Sequence, residues 1–250
     1  MKKIILIIFS IFIAMTSEVR AQDSRMVQFV GVDISGSFQD SKYFDDSLDF
    51  LAHYLFFHLN GLDGLEKPKY LFVGPIGGAK AHDVKSFFPI ENFENRSIAE
   101  ILVRLKEIFP KKVQNPYTDF NSFIDQISET IKNRKMVLRP ISILMISDGV
   151  PDAPSKEKKN PYRGVKLKDL EKLSRNITLS LLFTSPNVGS RWQKEVPRKR
   201  VKMWTQDAEV MAGWKDSKIY DPAKPPDEQD RFINWLKNNV DFGVRAPRVD

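Results

Sequence analysis

The chain has 250 residues, no cysteine, three histidines and a formal charge of +7. The absence of cysteine excludes disulfides, thiolate metal sites, a cysteine nucleophile and a lipid anchor through an N-terminal cysteine. So few histidines also argue against a zinc centre, which draws on nitrogen and sulfur ligands.

The first residues predict export. Lys2 and Lys3 precede an apolar run over residues 4–15 broken only by Ser10, and Val19-Arg20-Ala21 offers a cleavage site before Gln22. The run is shorter than the roughly 20 apolar residues that cross a bilayer. Residues 1–21 are therefore expected to be a bacterial signal peptide, and the mature protein to be soluble, without a membrane span, and periplasmic or secreted. An uncleaved anchor is the alternative. The positive charge suits an acidic partner or an anionic surface, although the basic residues are scattered apart from Lys156-Glu157-Lys158-Lys159 and Arg198-Lys199-Arg200. Export argues against nucleic acid as a ligand.

Residues 26–34 are apolar almost throughout, as in a strand buried on both faces. Phe44, Leu48, Leu51, Leu55 and Leu59 follow at helical spacing. Residues 70–73 read as a second strand stopped by Gly74-Pro75 and Gly77-Gly78, and residues 87–90 as a third. Ser97 and Glu100 have capping-box spacing and open a helix that Pro110 stops. Another helix follows Thr118, with Phe120, Phe123, Ile124, Ile127 and Ile131 on one face. Residues 141–146 form the strongest later strand, Leu167, Leu170 and Leu173 a short helix, residues 177–183 a fifth strand and residues 201–204 a sixth. Phe232, Ile233, Leu236 and Val240 mark a closing helix. Residues 151–161, 185–197 and 220–227 read as loops, and residues 245–250 as a disordered tail. This alternation predicts one α/β domain over residues 22–244, a doubly wound, mostly parallel six-stranded sheet flanked by helices.

Chemistry concentrates where strands end. Asp33-Ile34-Ser35-Gly36-Ser37 sets a carboxylate and two hydroxyls at alternate positions, with a glycine that lets the backbone bend. Tyr117-Thr118-Asp119 opens a helix, and Ser147-Asp148-Gly149 closes the strongest later strand. Ligands of open α/β sheets bind at the carboxyl ends of the strands, where the strand order reverses. If the first and fourth strands are neighbours there, Asp33, Ser35, Ser37 and Asp148 converge into an oxygen-lined site of the kind hard divalent cations take. Taken singly, Thr118 is a helix N-cap and Asp148-Gly149 a turn.

In this order the residues resemble the metal-ion-dependent adhesion site of von Willebrand factor A domains and integrin inserted domains: Asp-x-Ser-x-Ser, a distant threonine, a distant aspartate. The separation from Asp33 to Thr118 is longer than usual, and a loop within residues 74–95 or 111–116 would absorb it. The resemblance implies that Ser35, Ser37 and Thr118 are direct ligands and that Asp33 and Asp148 act mostly through waters. It further implies a divalent cation, Mg²⁺ first and Mn²⁺ or Ca²⁺ next, and a partner protein whose acidic side chain completes the coordination. The chain is thus expected to be a non-enzymatic binding module serving adhesion or complex assembly.

Two other readings are a metal-dependent hydrolase and a structural domain with a vestigial site. The hydrolase would use Asp119 or Asp152 as base, but Ser35 stands where an Asp-x-Asp nucleophile pair needs its second aspartate. His53, His58 and His82 are not placed to share a metal, the four tryptophans suit packing, and Gly74 to Gly78 lacks the Lys-Ser/Thr of a phosphate loop.

Overall fold

The computed structural model describes residues 24–78, 86–111, 117–152 and 160–241. The expected signal peptide and C-terminal tail, His82 and the Lys156 cluster lie outside the described residues.

Strand β1, Val27–Asp33, is buried along its whole length and forms the centre of the sheet. Its side chains alternate between two apolar cores, Val30 and Val32 on one face and Val27 and Phe29 on the other. That double burial is why the segment reads as a continuous apolar run rather than an alternating one. Strand β1 pairs in parallel with β2 (Tyr70–Ile76) on one side and with β4 (Ile141–Ile146) on the other. Beyond β2 lies β3 (Phe88–Pro89), the one antiparallel strand, and beyond β4 follow β5 (Ile177–Thr184) and β6 (Val201–Asp207). The order β3-β2-β1-β4-β5-β6 reverses direction between β1 and β4. The predicted six-stranded, mostly parallel, doubly wound architecture is the one observed.

Helices cover both faces. On the Val30 face pack α2 (Phe44–Leu59), α3 (Ile98–Ile108), the short α7 (Ala208–Ala212) and α8 (Asp230–Asn239). On the Phe29 face pack α4 (Phe120–Asn133), α5 (Lys168–Leu173) and α6 (Pro186–Glu195). A further short helix, α1 (Gly36–Gln39), follows β1 directly. The Ser97 capping box forms with both of its hydrogen bonds. Trp192 and Trp214 are buried and Trp204 and Trp235 half-buried, as packing residues.

Two expectations fail. Residues 185–197, read as a loop, contain α6. Ser185 caps it by accepting from the Val188 amide, and Pro186 occupies the first turn, where no N–H is required. Gly74-Pro75 does not end β2 but lies inside it. Strand β3 pairs only with Phe72 and Val73, so Pro75 meets no ladder on that side. A Cβ on Gly74 would come within 2.7 Å of the Phe87 ring, so glycine here is a packing requirement.

Candidate metal centre

Because β1 and β4 are neighbours, their carboxyl ends deliver the loops bearing Asp33-Ser35-Ser37 and Ser147-Asp148 to one place. The Ser35 amide donates to Asp33 Oδ1 at 2.8 Å, which folds residues 33–37 into a tight turn. Ser35 Oγ and Ser37 Oγ lie 3.2 Å apart, and Ser37 Oγ donates to Asp148 Oδ2 at 3.0 Å. The other oxygen, Asp148 Oδ1, accepts from the Val150 amide at 3.0 Å, so the second loop is ordered by the same carboxylate. Asp33 and Ser35 are buried, Asp148 is half-buried and Ser37 exposed, so the cluster has a closed floor and a mouth open to solvent.

Thr118 reaches this end of the sheet by another route. Its carbonyl accepts from the Asp152 amide at 3.2 Å, and the preceding Tyr117 carbonyl accepts from the Gly78 amide at 3.3 Å. The segment is thereby held between the end of β2 and the loop after β4. Gly77 makes that approach possible: it has φ +83°, and a Cβ there would sit 2.2 Å from the Tyr117 carbonyl oxygen. Thr118 is buried but, among the described residues, forms no hydrogen bond to Asp33, Ser35, Ser37 or Asp148. It does not cap α4. That role belongs to Asp119, which accepts from the Ser122 amide at 3.0 Å and from Ser122 Oγ at 2.7 Å.

Sequence reasoning passed over Ser147. Its hydroxyl donates to Asp33 Oδ2 at 2.6 Å and accepts from the Gly149 amide at 2.9 Å, joining the two loops beneath the cluster. The Trp192 indole N–H donates to the Gly149 carbonyl at 2.6 Å, so α6 braces the same loop from below. Its only sequence signal was a hydroxyl directly after the apolar run of β4.

Burial pushes the Asp33 carboxyl up to about 7; hydrogen bonds from Ser147 and the Ser35 amide work against the rise and the nearby Asp148 charge adds to it. Two carboxylates and two serine hydroxyls gathered with no basic side chain hydrogen-bonded among them form a donor set that a cation would relieve. Octahedral coordination at roughly 2.0–2.1 Å places adjacent oxygens about 2.9 Å apart. The Ser35–Ser37 and Ser37–Asp148 separations of 3.2 and 3.0 Å are close to that edge. The residues present therefore fit a small, hard divalent ion. Among the described residues no three His, Cys, Asp or Glu side chains come together, so an all-acidic or imidazole-based site has no counterpart there.

No protein-family model matches the chain, and no curated protein does. Among solved structures it is similar to manganese-loaded TRAP protein of Plasmodium vivax, at 15% identity over 76% of this chain and 72% of that one, with a TM-score of 0.44. It is also similar to proximal thread matrix protein 1 of the mussel byssus with a zinc-occupied MIDAS motif, at 14% identity over 77% of this chain and 46% of that one, TM-score 0.45. A third is the von Willebrand factor type A protein from Catenulispora acidiphila, at 10% identity over 76% of this chain and 40% of that one, TM-score 0.47. The chain thus aligns with less than half of the mussel and Catenulispora proteins.

Proposed function

We propose that this protein is an exported, non-catalytic binding module of the von Willebrand factor A type, working in the periplasm or outside the cell. Asp33, Ser35, Ser37, Thr118 and Asp148 hold a divalent cation, Mg²⁺ first and Mn²⁺ or Ca²⁺ next, and an acidic side chain of a partner protein completes the coordination. The observation that carries this reading is the chain of three oxygens, Ser35 Oγ to Ser37 Oγ at 3.2 Å and Ser37 Oγ to Asp148 Oδ2 at 3.0 Å, at an open mouth above buried Asp33.

Each residue has a distinct task. Ser35 and Ser37 present neutral oxygens, Thr118 offers a third hydroxyl from the α4 side, and Asp33 and Asp148 balance charge. A cation held mainly by neutral oxygens keeps strong Lewis acidity toward an incoming carboxylate. Asp119, one of the two residues the hydrolase reading would use as base, has both carboxylate oxygens engaged by Ser122 at the start of α4.

Isothermal titration with Mn²⁺, in the parent and in Ser37→Ala/Asp148→Ala, tests the site. Binding to the parent and none to the double variant supports it. A partner-like acidic peptide should then bind only when metal is present, because the two affinities are linked. Equal Mn²⁺ binding by both proteins would sink the assignment.

A further inference from the structure

The opposite end of the sheet carries a different chemistry. The first residues of the five parallel strands, Tyr70, Val27, Ile141, Ile177 and Val201, are direct register partners from β2 across to β6. Each of these strands is preceded within two residues by a basic side chain: Lys69, Arg25, Arg139, Arg175 and Arg200, in that spatial order. At a strand spacing of about 4.8 Å they form a row about 19 Å long. All but the half-buried Arg139 are exposed, and among the described residues none of the five forms an ion pair.

Glu171, Asp241 and Glu66 are the acidic groups set against the five cations of the row. Glu171 is buried; one of its carboxylate oxygens accepts from the amides of Lys199, Arg200 and Val201, and its charge also acts on Arg200. Asp241 faces His58, and Glu66 accepts from Ser24.

Beside the row stands an apolar tip. Val137 and Leu138 are 44% and 69% exposed, and Leu138 takes φ +68°, a left-handed conformation unusual for a bulky side chain. The tip is fixed in place: the Leu138 amide donates to the Leu173 carbonyl at 2.8 Å. Arg139, next in sequence, lies over the Tyr70 ring and belongs to the row itself.

We propose that this edge is a docking face for an anionic phospholipid bilayer, with the basic row at the headgroups and Val137-Leu138 inserted among them. A row of cations that form no ion pair among the described residues, beside a small apolar projection, matches a charged surface with an apolar interior. Asp33 ends β1 eight positions after Arg25, so docking would hold the oxygen cluster about 26 Å further out, facing away from the lipid.

The test is sedimentation of residues 22–250 with vesicles of phosphatidylglycerol and phosphatidylcholine, against phosphatidylcholine alone. Binding should need the anionic lipid, disappear at high salt because exposed charges are screened, and persist in chelator because the oxygen cluster is remote. Lys69→Glu/Arg175→Glu/Arg200→Glu should lower partitioning by at least about tenfold. Val137→Ser/Leu138→Gly should weaken it while keeping the melting temperature, since glycine accepts the backbone at 138. Binding to heparin but not to vesicles would reassign the row to soluble polyanions. That result, equal binding to both vesicle types, or undiminished binding by the charge-reversed variant would each overturn the proposal.

Discussion

Ser147 and Asp33 meet across the β1–β4 seam: the serine hydroxyl donates to the carboxylate at 2.6 Å, with both side chains fully buried. The strand-order reversal thus has a chemical fastening as well as a backbone one. The Ser147 oxygen also receives the Gly149 amide, so one hydroxyl orders both loops of the candidate centre.

Ser147→Ala removes that donor and leaves two buried groups unsatisfied. Such losses cost about 1–3 kcal/mol each. At about 2–4 °C per kcal/mol for a chain of this size, differential scanning calorimetry should show a drop of several degrees. Mn²⁺ affinity should fall as well, although Ser147 is not proposed as a ligand.

Gly77→Ala should separate the threonine arm from the rest. The new methyl would sit 2.2 Å from the Tyr117 carbonyl oxygen at φ +83°, and such a backbone conformation alone costs about 1–3 kcal/mol in a non-glycine residue. Thr118 would be displaced and metal affinity should fall, as it should in Thr118→Ala. Gly213→Ala is the control: its Cβ would meet nothing within 4 Å. Chemical denaturation should find it neutral or slightly stabilised.

A pH-dependent contribution to stability lies far from the candidate centre, where His58 Nε2 and Asp241 Oδ2 approach to 3.1 Å as an ion pair rather than an aligned hydrogen bond. Burial lowers the His58 pKa, but the charge and contact of Asp241, together with the Glu66 carbonyl and carboxylate, outweigh it, and the net shift is upward. A raised folded-state pKa means that the folded chain holds the proton more tightly than the unfolded one. The pair therefore stabilises fully below the ordinary histidine value of 6.5, and its contribution fades as pH rises through the higher folded value. Asp241→Asn should lower the melting temperature more at pH 6 than at pH 9. An equal loss at both pH values would contradict the assignment.

Much of this was readable because the decisive residues are local. Asp33, Ser35 and Ser37 stand within five positions at the end of an apolar run too uniform to be anything but a buried strand, and Asp148 ends a second such run. The strand order then brings them together. What escaped the sequence depends on distant neighbours. Helix α6 has little apolar periodicity because it buries mainly Gly189 and Trp192, although Ser185-Pro186 carried its start signal. Gly74-Pro75 looked like a stop because the missing ladder beside Pro75 is a property of β3, not of the dipeptide. Helix α7 is a five-residue segment capped by Asp207, too short for periodicity to register. The fit of Thr118 rests on Gly77, forty-one positions earlier, and the importance of Ser147 on a carboxylate in another strand.

The oxygen cluster of Asp33, Ser35, Ser37, Thr118 and Asp148 is expected to bind a divalent cation in the folded protein. The most direct measurement is thermal unfolding of chelator-treated residues 22–250 across an Mg²⁺ and Mn²⁺ titration, with Asp33→Ala alongside. A ligand bound only by the folded state adds about 2.7 kcal/mol at a hundredfold excess over its dissociation constant. A saturable rise in melting temperature in the parent and none in Asp33→Ala is the predicted result. A flat titration in the parent, or the same rise in both proteins, would contradict it.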